Sequence, residues 1–342
     1  MRGNALFDVF IYAFNSVAPI LLLVLLGFLL KKLNFADDGF FKKANSLVFK
    51  VFLPTLLFTN VYNLSSLHDV NWKAAVYSVF AVFLFLGIGA LCSALFVKEH
   101  ERKGVILQCS FRSNHAIIGI PLAQSLGGSQ ALAFASLLSA IAIPLFNVLA
   151  VFCLSHYADK SKKPSFIQTV IKTVRNPLIV GVFCGAVALL IRSLLPTYPN
   201  GAPIFTIKDN LPFLWTAISN VAAIASPLSL VILGARFDFS SVRSLAKPIT
   251  LGVLLRNVIA PLLGIGLAIV ISKKFGLFAV TQDELPGFIS VFGSPVAVSS
   301  AVMVGEIGGD DQLATQLVVW TSVLSLFTVF ATVFILKSFA LL

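Results

Sequence analysis

Three side chains suited to hold an anion or move a proton, Arg112, Asn114 and His115, fall within four consecutive positions of an otherwise apolar run. A guanidinium presents a rigid fork of donors that matches a carboxylate. A carboxamide both donates and accepts, and an imidazole titrates near neutral pH. The same run continues into Gly119-Ile120-Pro121, where proline withholds a donor from the helical ladder and glycine permits irregular backbone. An arginine at a helix centre costs roughly 2.5–3.5 kcal/mol on membrane-insertion scales, so it faces a partner or a watery cavity. Unwound backbone at that depth is tolerated only inside protein or along a cavity. The polar groups and the break therefore coincide at one expected substrate site.

A second polar break, Gly293-Ser294-Pro295 followed by Ser299 and Ser300, lies in the other half of the chain, and a second arginine, Arg256, lies deep in an apolar run. Arg112 and Arg256 each sit nine residues beyond a lysine, Lys103 and Lys247, or about 13 Å along a helix. No Asp or Glu stands at mid-span, so two arginines beside half-helix N-termini would attract an anion. The alternative is structural pairing with Glu306 or Asp238 at the span ends. His115 is either a proton carrier or a hydrogen-bonded packing residue. Ser294 and Ser299 either line the opposite wall or bond their own helix backbone. Pro19, Pro54, Pro177 and Pro227 are expected to kink supporting helices.

Enzyme and cofactor chemistries find little here. The four histidines, His68, His100, His115 and His156, show no ligand spacing. No Ser-His-Asp set and no phosphate-binding glycine loop is present. No catalytic residue, metal or cofactor is expected. Cys92, Cys109, Cys153 and Cys184 all fall in apolar runs and read as small packing residues.

The elements that must position these groups are membrane spans. The chain of 342 residues is 58% hydrophobic and 11% charged, against about 25% charged for a soluble domain. Ten segments near the ~20-residue length of a span fall at 8–30, 47–64, 74–97, 105–126, 130–154, 176–195, 211–235, 247–272, 285–305 and 312–336. The net charge of +11 is carried by lysines and arginines between spans, so membrane topology accounts for it and no nucleic-acid partner is expected. Fifteen of the 25 basic residues lie on one side, seven on the other, and Lys50, Arg112 and Arg256 within spans. The positive-inside rule makes the richer side cytoplasmic and puts both termini outside, as in a multi-pass inner (cell) membrane protein.

The two halves echo each other in order. Pro19 precedes Gly27 by eight residues, as Pro177 precedes Gly185; Pro54 in the second span matches Pro227 in the seventh; Gly127-Gly128-Ser129-Gln130 matches Gly308-Gly309-Asp310-Asp311-Gln312. Five spans per half is an odd number, so the second copy inserts upside down, with the site expected between two broken helices. Residues 1–155 and 176–342 form the two repeats, joined by a cytoplasmic loop at 156–175. The fourth and ninth spans are expected to break at Gly119-Ile120-Pro121 and Gly293-Ser294-Pro295.

The run Asn114-His115-Ala116-Ile117-Ile118-Gly119-Ile120-Pro121-Leu122 resembles the fourth-span motif of the auxin efflux carrier family. Pro295 with Ala301-Val302-Met303-Val304-Gly305-Glu306 resembles its ninth-span crossover, Arg256-Asn257-Val258-Ile259-Ala260-Pro261 its eighth span, and Pro227 to Ala235 its seventh. The resemblance implies an all-α membrane protein of ten transmembrane helices in two inverted five-helix repeats. Helices 1, 2, 6 and 7 would be a scaffold, helices 3–5 and 8–10 a mobile transport domain, with an elevator movement and a homodimer through the scaffold. The short central loop is similar to the bacterial branch that includes malate and malonate permeases. A secondary carrier for a small organic anion, a carboxylate or dicarboxylate, follows. The competing readings are an auxin-like aromatic acid exporter, a bile-acid-type sodium symporter and a transporter-like ligand sensor.

Overall fold

The computed structural model describes residues 19, 22–63, 72–158, 171, 174–197, 203–238, 240–276, 280 and 284–342. The outer part of the first expected span, Arg2 and most of the 156–175 loop lie outside the described residues. Among those described, the backbone is helical, with two isolated β-bridges and no longer strand.

The first helix, α1, covers 22–32. Next comes α2, Asp38–Tyr62, which begins nine residues ahead of the expected second span. Its first turns are amphipathic, and Asp37 caps them by accepting from the amide of Phe40 at 2.7 Å. A hydropathy window passes over such turns. The chain continues through α3 (Trp72–Phe96) and α4 (His100–Phe111), then α5, a helix over 115–126, and α6 (Gln130–Tyr157). The second half supplies α7 (Pro177–Leu194), α8 (Pro212–Arg236), α9 (Ala246–Phe275), α10 (Leu285–Phe292), α11 (Ser299–Ile307) and α12 (Asp311–Ser338).

Among the described residues, seven helices, α2, α3, α6, α7, α8, α9 and α12, are long and apolar enough to cross a membrane. The fourth and ninth expected spans are each two half-helices, α4 with α5 and α10 with α11. Sharp corners after α5 and α11 need glycine: Gly128 has φ +67°, Gly308 +122° and Gly309 +127°, values that L side chains avoid.

The position of the first break departs from expectation. Gly119 is helical (φ −67°, ψ −51°), and Pro121 stands in the second turn of α5, past a first turn, His115–Gly119, that is widened to a π turn. The chain unwinds upstream instead, with Arg112 extended (φ −86°, ψ 107°) and Asn114 out of the helical region (φ −81°, ψ 46°). Pro121 lies inside the half-helix, past its wide first turn, and does not end it. In the ninth span the chain leaves the helix at Gly293 and stays irregular to Val298, as its Gly-Ser-Pro sequence predicts.

The two unwound segments meet. Ser113 and Val296 form an antiparallel bridge. The Asn114 amide donates to the Pro295 carbonyl at 2.7 Å, and the Ala297 amide donates to the Arg112 carbonyl at 3.4 Å. Each irregular segment thus supplies partners for the backbone groups that the other leaves open.

Two further seams are backbone against backbone. A Cβ on Gly27 would overlap the Val231 carbonyl, and one on Gly234 would overlap that of Val24, so α1 and α8 cross in direct contact. A Cβ on Gly181 would overlap the Pro54 carbonyl, and one on Gly185 would come within 2.9 Å of that of Phe58, so α7 lies as closely on α2. At one end of the bundle, Asn45 and Ser46 donate to the two carboxylate oxygens of Glu306, at 3.0 and 3.3 Å. At the same end Arg236 pairs with Asp311 at 2.9 Å.

Candidate functional site

The bridge between the breaks fixes what stands at the four half-helix ends. The C-terminal ends of α4 and α10 meet on one side of the crossing. The N-terminal ends of α5 and α11 border a cleft, whose lining includes Asn114 and Ala116 from the first and Ala297, Val298 and Ser299 from the second. The first amides of a helix have no partner in their own helix, and the peptide dipoles make such ends positive. Two of them therefore bias this cleft toward negative charge.

Arg112 strengthens the bias. It lines the cleft yet is only 2% exposed. Its Nη2 donates to Asn147 Oδ1 and to Ser299 Oγ, both at 2.8 Å, and its Nη1 lies against the sulfur of Met303. All three partners are neutral. Among the described residues no carboxylate pairs with Arg112, so the expected alternative with Glu306 or Asp238 is not what the structure has. Glu306 is engaged by Asn45 and Ser46, and Asp238 accepts from Ser240. Burying a charge without a counter-charge costs several kcal/mol, a cost that a bound anion would offset.

The rest of the wall is mixed. Asn60 and Leu57 come from α2, Phe146 and Asn147 from α6, Leu178 from α7, and Ser226 and Ser229 from α8. The cavity among them is about 70 Å³, below the range of small-molecule sites. Two buried polar atoms at the crossing, Asn114 Nδ2 and Ser113 Oγ, have no hydrogen-bond partner. An unmatched buried donor costs about 1–3 kcal/mol, and both residues line the cleft.

Of the residues singled out from sequence, Arg112, Asn114 and Ser299 come together on the cleft. His115 is fully buried behind it. The carbonyl of Ala135, 3.0 Å from Nε2, can only accept, so Nε2 carries the hydrogen, and Nδ1 lies 3.1 Å from the hydroxyl of Ser290, which also donates to the Gly287 carbonyl at 2.6 Å. His115 thus fastens α5 to α6 and α10. Gly119 lets α5 approach α10, since a Cβ there would overlap the Ser290 carbonyl. Ser294 bonds back to the Ser290 carbonyl, and Ser300 donates no bond into the cleft. Gly293 closes α10 by donating its amide hydrogen to the Ile289 carbonyl. Pro295 contributes its carbonyl to Asn114, and Pro121 sits in the second turn of α5, past the wide turn His115–Gly119.

Arg256 is a correction. It is wholly buried on the far side of the crossing, and every partner it has is a backbone carbonyl: Ser294 (2.8 Å), Phe111 (3.3 Å), Val291 (2.7 Å) and Phe292 (3.0 Å). It holds the C-terminal ends of α4 and α10 and does not line the cleft. Asn147, Asn60 and Ser113 were missed from sequence. Asn60 and Asn147 stand alone in apolar runs, and an amide in a span is the signal that would have found them.

A family model described as membrane transport protein matches residues 12–334. The chain is 24% identical over 327 residues to an uncharacterized transporter of Methanothermobacter thermautotrophicus, an alignment covering 93% of this chain and 96% of that one. It is 27% identical over 175 residues to an uncharacterized transporter of Methanocaldococcus jannaschii, covering 49% of this chain and 54% of that one.

Proposed function

Because the chain belongs to the membrane transport protein family, the auxin efflux carrier family that its motifs resemble, we propose that it is a secondary carrier moving a small organic anion through the cleft at the crossed half-helices. The observation that carries this reading is Arg112, a buried cation on a cleft wall whose partners are all neutral. The N-terminal ends of α5 and α11 and the open donor of Asn114 complete an anion seat of the kind found at broken membrane helices. One arginine suits one carboxylate, with Asn60 and Ser226 left to receive a second polar group across the cleft.

The architecture proposed for this carrier is ten spans in two inverted repeats. The two glycine seams support it, because they correspond in register. Gly27 meets the residue four beyond Pro227, and Gly185 meets the residue four beyond Pro54. The crossing supports it as well: Asn114 lies thirteen residues before Gly127, and its partner Pro295 thirteen before Gly308. Equivalent positions of the two halves therefore pair with each other. On this reading α1, α2, α7 and α8 form a frame, against which the remaining helices carry the anion in an elevator movement. Both termini lie outside the cell membrane's cytoplasmic face, and a second copy joins through the frame.

Binding of benzoate and malonate, each compared with its neutral amide, to purified wild-type and Arg112→Ala protein tests the proposal, with folding followed separately. Wild type should prefer the carboxylates, and the variant should lose roughly tenfold or more of that affinity. A folded Arg112→Ala protein with unchanged carboxylate affinity would overturn it.

A further inference from the structure

At the crossing, Arg256 stands where the ends of two half-helices leave carbonyls without amide partners. The last four carbonyls of α10 can be followed one by one. Ile289 accepts from the Gly293 amide at 2.7 Å and Ser290 from the Ser294 hydroxyl at 2.6 Å. Val291 and Phe292 both accept from Nη2 of Arg256. The same guanidinium takes the last carbonyl of α4, at Phe111, and the carbonyl of Ser294 in the unwound stretch.

Four carbonyl oxygens therefore converge on one positive group, from two helix ends whose dipoles are both negative there. Unwound carbonyls and half-helix C-termini are also the ligands that broken membrane helices offer to a free alkali cation, and rings of carbonyls can replace such an ion's hydration shell. We infer that Arg256 is a tethered cation occupying an alkali-ion seat at the crossing, so that this chain assembles its anion site without sodium. Two consequences follow from the geometry. The last carbonyls of α10 are all taken and both helix ends already face a positive charge, so a sodium ion would find no net negative charge there. The positive ends on the cleft side are not neutralised, and they remain available to the transported anion. The functional side of this inference rests on the carrier reading above; the structural side does not.

The test reads thermal unfolding of the purified protein in sodium, potassium or choline chloride at equal ionic strength, with no organic anion present. Its failure is thus separable from failure of the carboxylate experiment. Wild type should melt at the same temperature in all three salts. Arg256→Ala should melt several degrees lower in choline and recover saturably with millimolar sodium or methylguanidinium. Arg256→Lys, which keeps a tethered charge, should fold and stay insensitive to sodium. Saturable stabilisation of wild type by sodium would overturn the inference. So would an Arg256→Ala protein that folds but melts alike in every salt, or sodium dependence of Arg256→Lys. If Arg256→Ala does not fold, the wild-type and lysine measurements still decide.

Discussion

The amide of Asn114 and the carbonyl of Pro295, 2.7 Å apart, join two helices at the points where each has lost its own ladder. That bond and its neighbour from Ala297 to Arg112 make the crossing a short piece of sheet inside a helical bundle. With its geometry fixed, the crossing sends the two helical N-termini to the cleft and the two C-termini to Arg256.

Close approach of α5 to α10 predicts a steep response at Gly119. Gly119→Ala would press a methyl group into the Ser290 carbonyl and close on His115 Nδ1, whereas a Cβ at Gly266 meets nothing within 4 Å. Overpacking of this kind costs about 1–3 kcal/mol. Thermal melting should drop clearly for Gly119→Ala and hardly move for Gly266→Ala; equal melting of the two would contradict the packing described.

The glycine seams make a graded prediction. Gly27→Ala drives a Cβ into a backbone carbonyl that has no side-chain freedom to yield, while Gly185→Ala arrives 2.9 Å from the Phe58 carbonyl. Gly27→Ala should therefore destabilise more than Gly185→Ala. Expression and melting temperature of the two variants check the order.

Asn147 bonds Arg112 through its Oδ1 at 2.8 Å, so Asn147→Asp would give the arginine a permanent counter-charge at nearly constant volume. The expected outcome is a folded protein, at least as stable as wild type, whose carboxylate affinity falls by roughly tenfold or more. Retained affinity would mean that Arg112 does not meet the anion.

The Glu306 and Arg236 contacts tie the proposed moving helices to the frame at one end of the bundle. Replacing Asn45 and Glu306 by cysteine, with the exposed Cys184 removed, gives a pair for a short bis-maleimide, to which each thiol adds. Cross-linking should arrest transport in proteoliposomes while leaving anion binding intact. Unimpaired transport after complete cross-linking would show that these residues do not separate during the cycle.

Much of the helical layout was legible because spans announce themselves by length and composition: α3, α6, α7 and α8 begin and end within a few residues of expectation. The sequence also pointed to Arg112, Asn114 and Ser299, since polar groups at membrane depth need a reason. Three things were hidden for physical reasons. Pro121 reads as a helix breaker, but α5 carries it past a widened first turn, so the break falls upstream of it. The amphipathic turns before Val48 carry too many polar residues for a hydropathy window. The two arginines look alike in sequence, and only the direction of the half-helices tells which one faces carbonyls and which one faces the cleft.

The Asn114–Pro295 bond also constrains how the protein is made. About 180 residues separate the partners, so at 5–20 residues per second the ribosome needs on the order of 10–40 s to supply the second after the first. Through that interval several open peptide groups must wait in or beside the bilayer without the partners that the second half supplies, and the guanidinium has only Asn147 of its own half. The nascent first half is thus an incomplete solvent shell for its own backbone, and safe biogenesis depends on the insertion machinery or lipid headgroups sheltering that polar knot until the second half arrives.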